Sequence, residues 1–262
     1  MGEAVAVLGL GEAGSRYAAD LLAEGITVVG YDPVCTAPPP NLAGYEGLRL
    51  AVGPEDAARS AGIVLSLNAA EVAERVAHDA ARGMRGGSVY ADLNTASPQT
   101  KRRTASALDG TGALFADVAV LAPVPRAGLR TPLAISGPGR GKLARFLEPF
   151  GVPVEDAGPD PGAAAGRKLL RSVFMKGLAA VVLESLDIAA RAGLEDWMRR
   201  QIVSELTSAD GTLVTRLVEG TRAHAARRLE EMRAADGFAA ELGAADHVVR
   251  AVIARLEELA SA

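Results

Sequence analysis

Two groups of residues in this chain have the types and spacing that chemistry needs. The first is Gly9-Leu10-Gly11-Glu12-Ala13-Gly14, with an acid, Asp32, standing 21 residues past Gly11. In a G-x-G-x-x-G run the first glycine permits a tight turn and the second lets a pyrophosphate approach the backbone. The third lets a helix pack closely on a strand. Free amides at the helix N-terminus then meet the phosphates. Asp32 reads in two ways. It is either a turn acid before Pro33 or a carboxylate that accepts from ribose hydroxyls and repels a 2′-phosphate. Pro33-Val34-Cys35-Thr36 carries no arginine to welcome that phosphate. NAD is therefore favoured, with NADP as the alternative.

The second group is Lys168, Ser172 and Lys176, spaced four apart so that they share one side of a helix. Such a stripe is ordinarily a solvated face. It can instead face a cleft, and a lysine taken out of water shifts its pKa and becomes able to give or take a proton. A dinucleotide site together with a proton-handling amine is what oxidation of an alcohol, or the reverse reduction, requires.

The elements that must position these groups follow from the pattern. Ala4 to Leu8 is an apolar, β-prone run, the glycine run leads into a helical pattern ending at Glu24, and Thr27 to Tyr31 is a second strand. Strands are expected at Leu48 to Val52, Ile63 to Leu67, Ser88 to Leu93, Leu114 to Val120, Pro132 to Ser136 and Val152 to Asp156. Helices are expected at Ala69 to Arg82, Pro98 to Leu108 and Lys142 to Phe150. This alternation predicts a doubly wound α/β (Rossmann) domain over residues 1–159. Ligands on such a sheet sit outside the carboxyl ends of the strands, which singles out the loops at 68–70, 94–96 and 120–123. Asn94 and Thr95 there are equally readable as capping or turn residues.

From Asp160 to Gly193 the pattern is one long helix, with Asp160-Pro161 as its start signal and Ala192-Gly193 as its stop. Leu170, Val173, Phe174, Gly177, Leu178 and Val181 form an apolar face. The second half, adding Ala179, Leu183 and Leu186, is apolar nearly all round, so it is expected to be buried. Amphipathic helices follow at Glu195 to Leu206, Ala209 to Val218, Arg222 to Arg233 and Ala245 to Leu259. Residues 160–262 thus read as an all-α domain for substrate binding and dimerisation, joined to the first by the long interdomain helix. The Arg227-Arg228-Leu229-Glu230-Glu231 cluster reads as a solvated, charge-paired face.

Composition narrows the class. The chain has 262 residues, 49% hydrophobic and 23% charged, as in a globular protein with a real core. A net charge of −4 offers no footprint for nucleic acid. Cys35 is the single cysteine, and His78, His224 and His247 are far apart, so neither an internal disulfide nor a protein metal site is expected. The N-terminus has an acid where a signal peptide is basic. The longest apolar run, Leu178 to Ala190, contains Glu184 and Asp187 and is too short to span a bilayer. The expectation is a cytoplasmic protein with no membrane partner.

Taken together, the glycine run, Asp92-Leu93-Asn94-Thr95-Ala96-Ser97-Pro98, Phe115-Ala116-Asp117-Val118-Ala119-Val120 and the helix carrying Lys168 resemble the β-hydroxyacid dehydrogenases in order and spacing. That superfamily includes 6-phosphogluconate and 3-hydroxyisobutyrate dehydrogenases. Gly166-Arg167-Lys168-Leu169-Leu170-Arg171-Ser172 and Lys176-Gly177-Leu178 look closest to a little-characterised branch of 6-phosphogluconate-dehydrogenase-like NAD-binding proteins.

The resemblance implies Lys168 as general acid/base. It implies cofactor contacts at Gly9 to Gly14, Asp32, Leu67, Asn68 and Asn94, and substrate contacts at Thr95, Val120, Leu121, Ala122 and Ser172. Lys176, on the same stripe as Lys168, is the expected source of an anion contact in place of the 120–123 loop. Ser172 stands where the family has a substrate-orienting asparagine, and a hydroxyl offers one donor instead of two. Pro123 ends a loop that in the family offers free amides to a carboxylate, and proline has none. The family's later lysine-aspartate motif has no clear counterpart here. The implied activity is hydride transfer between NAD(P) and a small β-hydroxy acid or related anionic alcohol or carbonyl compound. Imine reductases share the architecture but usually lack a lysine matching Lys168. A catalytically inactive nucleotide-binding regulator is the reading from another class. The family's pairing of subunits implies a homodimer. His224 then reads either as surface or as a contribution to a neighbour's cleft.

Overall fold

The computed structural model describes residues 4–261. Met1, Gly2 and Glu3, on which the reading of the N-terminus partly rests, lie outside the described residues. The chain divides into two compact units, Met1–Arg171 and Ser172–Ala262.

The first unit is an eight-stranded sheet. Its elements in order are β1 (Ala4–Leu8), α1 (Glu12–Ala23), β2 (Val28–Tyr31), β3 (Leu48–Leu50), α2 (Pro54–Arg59), β4 (Ala61–Ser66), α3 (Ala73–Ala81), β5 (Val89–Asp92) and α4 (Pro98–Ser106). There follow β6 (Leu114–Val120), α5 (Val124–Ala127), β7 (Leu133–Ser136), α6 (Arg140–Leu147), β8 (Val154–Gly158) and α7 (Ala163–Arg191), which continues past the unit boundary. The strand order is β3-β2-β1-β4-β5-β6-β7-β8, and strands β1 to β6 run parallel. The order reverses at β1 and β4, where the glycine loop leaves the sheet.

Both faces of the sheet are covered at its centre, so β1 and β4 are buried on both sides and read as apolar runs rather than alternating with polar residues. Val5 and Val7 enter one core with Tyr17, Leu21, Ile135 and Leu143. Ala6 and Leu8, pointing the other way, enter a second with Val76, Ala77, Tyr90 and Leu108. A third, small cluster of Ala119, Ala134, Ala157 and Ala164 seats the start of α7 on the sheet. Alanines there let the helix approach closely.

Three details depart from the sequence reading. β7 runs antiparallel to β6, and β8 is parallel to β7, so the far edge of the sheet is reversed. Only the short α5 and a 3-10 turn link β6 to β7, too little for a parallel crossover. The predicted helix from Ala69 begins as a 3-10 turn and is α-helical only from Ala73. The helix α2 was not foreseen; it is six residues long, with Pro54 in its first turn.

In the second unit α7 continues, followed by α8 (Glu195–Thr207), α9 (Leu213–Ala223), α10 (Ala225–Glu241) and α11 (His247–Ala260). The sequence places the third and fourth of these helices a few residues too early, because apolar periodicity marks a helix better than its ends. α10 and α11 pack as an antiparallel pair closed by a Gly243 turn. Glu184 of α7 caps α11, its carboxylate accepting from Val248 N–H and Val249 N–H at 2.9 Å. The predicted burial of the second half of α7 is not observed. Val173 and Phe174 are 75% and 66% exposed, and Leu183 is 63% exposed, in the single chain. Among the described residues no helix is long and apolar enough to cross a membrane.

Candidate active site

At the point where the strand order reverses, the glycine run forms the expected turn. Gly9 has φ +94°, and a Cβ there would press on the Leu67 carbonyl. A Cβ on Gly14 would collide with the Gly9 carbonyl, so that glycine sets the closeness of α1 to the strand end. Gly11 differs: a Cβ there would meet nothing within 4 Å. Its outer side is open to a ligand, with the α1 N-terminus behind it and Glu12 in the first turn.

Asp32 follows β2 and turns back to this loop. Its Oδ2 accepts from Leu10 N–H at 2.8 Å and its Oδ1 from Val34 N–H at 3.1 Å. The turn reading and the ribose reading of Asp32 are therefore compatible, since each oxygen has a second lone-pair direction left. Beside it, burial and then the Asp32 charge push the Cys35 thiol above its ordinary range. On β4's exit, Asn68 Nδ2 donates to Ser66 Oγ at 2.7 Å. The loop residues Gly9, Leu67 and Asn68 are thus in direct apposition.

A second cluster lies at the exits of β5 and β6. Lys168 Nζ donates to Thr95 Oγ1 at 2.9 Å. Thr95 is therefore not a helix cap. Ser97 takes that role for α4, accepting from Thr100 N–H at 3.1 Å. Asn94 is buried and turns inward, donating from Nδ2 to Asp92 Oδ1 at 2.7 Å and to Ser66 Oγ at 3.1 Å. A small cleft beside Lys168 is lined by Asn94, Thr95, Ala96, Val118, Ala119 and Leu169.

Beneath this cleft is an ionic cluster that the sequence reading did not single out. Lys101, Asp92 and Asp117 are 1%, 0% and 0% exposed. Lys101 Nζ donates to the Asp92 carbonyl at 2.7 Å and lies 3.1 Å from Asp92 Oδ2 and 3.4 Å from Asp117 Oδ1. One of its protons is thus hydrogen-bonded to the carbonyl, and the two carboxylate oxygens are held by ion pairing. One ammonium does not neutralise two carboxylates, and backbone amides supply the remainder. Asp117 Oδ2 accepts from Gly162 N–H at 3.1 Å and Ala165 N–H at 2.9 Å, at the positive end of α7. Ser136 Oγ accepts from Ala164 N–H at 3.0 Å and donates to Asp117 Oδ2 at 3.1 Å. Asp117 and Ser136, not the expected Asp160, therefore cap α7. Burial, with the Asp92 charge adding to it, raises the Tyr90 phenol above its ordinary range, so that it stays neutral.

Two features of the sequence could have revealed Lys101. The chain has only four lysines against twenty-four arginines, and Lys101 shares a helix face with the buried Thr104 and Leu108.

The remaining predicted residues are arranged as follows. Val120, Leu121 and Ala122 leave β6 half-buried, and Leu121 N–H is spent on the Pro132 carbonyl at 2.9 Å. With Pro123 next, this loop has few amides left for a carboxylate. Ser172 is half-buried on α7 and Lys176 exposed. Eight residues of helix separate Lys168 from Lys176 by about 12 Å.

The NAD-binding domain of 6-phosphogluconate dehydrogenase is the family model that matches residues 4–138, and a domain of unknown function (DUF1932) matches residues 189–259. An uncharacterized 28.5 kDa protein of Methanothermus fervidus is 31% identical over 190 residues, covering 71% of each chain. A protein of Mycobacterium bovis described as a probable 3-hydroxyisobutyrate dehydrogenase is 26% identical over 211 residues, covering 79% of this chain and 70% of the relative. Among solved structures, an imine reductase of Streptomyces aurantiacus aligns with a TM-score of 0.82 at 22% identity, covering 97% of this chain and 93% of the other.

Proposed function

The chain belongs to the family of NAD-binding domains typified by 6-phosphogluconate dehydrogenase, and we propose from that premise that it transfers a hydride between NAD(P) and a small alcohol or carbonyl substrate, with Lys168 as general acid/base. The observation that carries this reading is the 2.9 Å bond from Lys168 Nζ to Thr95 Oγ1 at the strand exits. An amine held there by a hydroxyl is fixed in place at the strand exits, where ligands of such a sheet sit.

In the proposed division of labour, residues 1–159 bind the dinucleotide, and residues 160–262, which begin with the turns carrying Lys168, serve substrate binding and subunit pairing. The open side of Gly11, backed by the N-terminus of α1, fits a pyrophosphate. Leu67, Asn68 and Asn94 flank the route from there towards Thr95. Bound nicotinamide supplies the hydride acceptor or donor. In the oxidative direction neutral Lys168 takes the hydroxyl proton; in the reductive direction its ammonium donates to the carbonyl oxygen. Thr95 holds the amine in line. Lys168→Ala should leave cofactor binding unchanged and lower turnover by about 10²–10⁴-fold, measured over a panel of hydroxy acids, aldehydes and imines. Near-full activity in that variant removes Lys168 from the mechanism.

Asp32 favours NAD, because a 2′-phosphate brought to the ribose would meet its carboxylate. Asp32→Ser is expected to improve NADP affinity relative to NAD by about tenfold, some 1.4 kcal/mol. An unchanged ratio in titration calorimetry would count against this assignment.

A second reading concerns the substrate. The spent Leu121 amide and Pro123 favour a neutral carbonyl or imine over an anionic hydroxy acid, whose carboxylate needs donors at that loop. Faster reduction of imines than of 3-oxo acids in the same panel decides for it. The exposed apolar face of α7 supports a homodimer as the working form.

A further inference from the structure

We propose that Lys101 is a positioning residue, tying together the two carboxylates from which Thr95 and Lys168 are hung. The inference rests on the role assigned above to Lys168. Two arms of the site converge on one buried ammonium. On the first, Asp92 Oδ1 accepts from both Asn94 N–H at 3.0 Å and Asn94 Nδ2 at 2.7 Å, which sets the turn that presents Thr95. On the second, Asp117 Oδ2 accepts from Gly162 N–H and Ala165 N–H, which sets the first turn of α7. Lys168 is three residues beyond Ala165, on the same side of the helix.

The two carboxylates repel one another, and without a cation between them they would separate. Lys101 Nζ, in contact with both, holds β5, β6 and α7 at one spacing. Arginine serves almost everywhere else in this chain as the cation, but its planar fork is too wide for a buried point between two carboxylates, whereas a compact ammonium fits. The distance from Lys168 Nζ to Thr95 Oγ1 is therefore set by a buried cluster at the floor of the cleft, where Lys101 is 1% exposed. Ser136 trims the same anchor, since its hydroxyl bridges Asp117 Oδ2 and Ala164 N–H.

Having only four lysines makes a direct test practical. The full chain, labelled with ¹³C and ¹⁵N in lysine only, would be compared as wild type, Lys101→Met, Ser136→Ala and Ser136→Thr, with the Lys168 signal assigned from Lys168→Ala. In parallel, the rate of Lys168 trinitrophenylation would be followed by mass spectrometry. In Lys101→Met and in Ser136→Ala the Lys168 signal should move and its modification rate change severalfold, while Lys142 and Lys176 stay as in wild type. Ser136→Thr should restore both. The proposal is overturned if these variants lose thermal stability while the Lys168 signal and modification rate remain wild-type. Should Lys101→Met not fold, Lys101→Arg, which keeps the charge without the compact ammonium, decides by the same criteria. Full turnover in Lys168→Ala alongside a displaced Lys168 signal would reject the catalytic role of the lysine and leave the positioning intact.

Discussion

The two ends of α7 are made of similar residues and live in opposite surroundings. Its first turn, Ala163 to Ala165, is packed on small residues of the sheet and its free amides are taken by Asp117 and Ser136. From Leu170 onward large apolar side chains stand in the open, with Leu170 at 74% and Val173 at 75%. The pinned end is held by a few polar contacts of high cost if broken. The open stretch carries the greater hydrophobic area and gains from it only when something covers it. A helix can thus be located by one end and left free to bind with the other.

The sharpest way to break this contrast is at the pinned end. Lys101→Met leaves two buried carboxylates without their cation and should cost about 3–5 kcal/mol of stability, read from urea unfolding of the isolated protein. Next comes the open stretch. Phe174→Asp should convert the proposed dimer to monomer in sedimentation equilibrium and forgo about 1.5–3 kcal/mol of burial per side chain. If the wild type is monomeric at every concentration, the exposed face has another use. Glu184 anchors the same helix from its later half by capping α11, and Glu184→Ala should cost about 1–2 kcal/mol, measured by thermal melting.

The smallest effect belongs to Asp156, just before α7. Its carboxyl is held below the usual range by Gly158 N–H, with help from Arg140. A depressed folded-state pKa stabilises the fold above the unfolded value of about 3.9 and loses that contribution as pH falls through the folded value. Asp156→Asn should therefore melt slightly below wild type at neutral pH, and the difference should vanish in acid.

How much of this was legible beforehand varies by region. The glycine run, Asp32 and the alternation of strands and helices are local patterns, and the structure has them where the pattern places them. Lys168 and Thr95 were both singled out, but the bond between residues 73 positions apart was not. Helix caps show the limit most plainly. Capping rules look within three or four residues, and they pointed to Asp160 for α7. The caps come instead from Asp117 and Ser136, and that of α11 from Glu184, 64 residues away. Lys101 was passed over because a charged residue in Pro98-Gln99-Thr100-Lys101-Arg102-Arg103 reads as surface.

By itself the sequence determined the backbone-level features: which stretches are strand or helix, where glycine is obligatory, and where along the chain the long helix with its lysines begins. Those depend on periodicity and on the conformational limits of single residues, which are written locally. Only the tertiary structure decided which charges are buried together, which way β7 runs, and that the apolar face of α7 lies open in the single chain. Burial and pairing arise from segments far apart in sequence meeting in space, and local pattern has no access to that meeting.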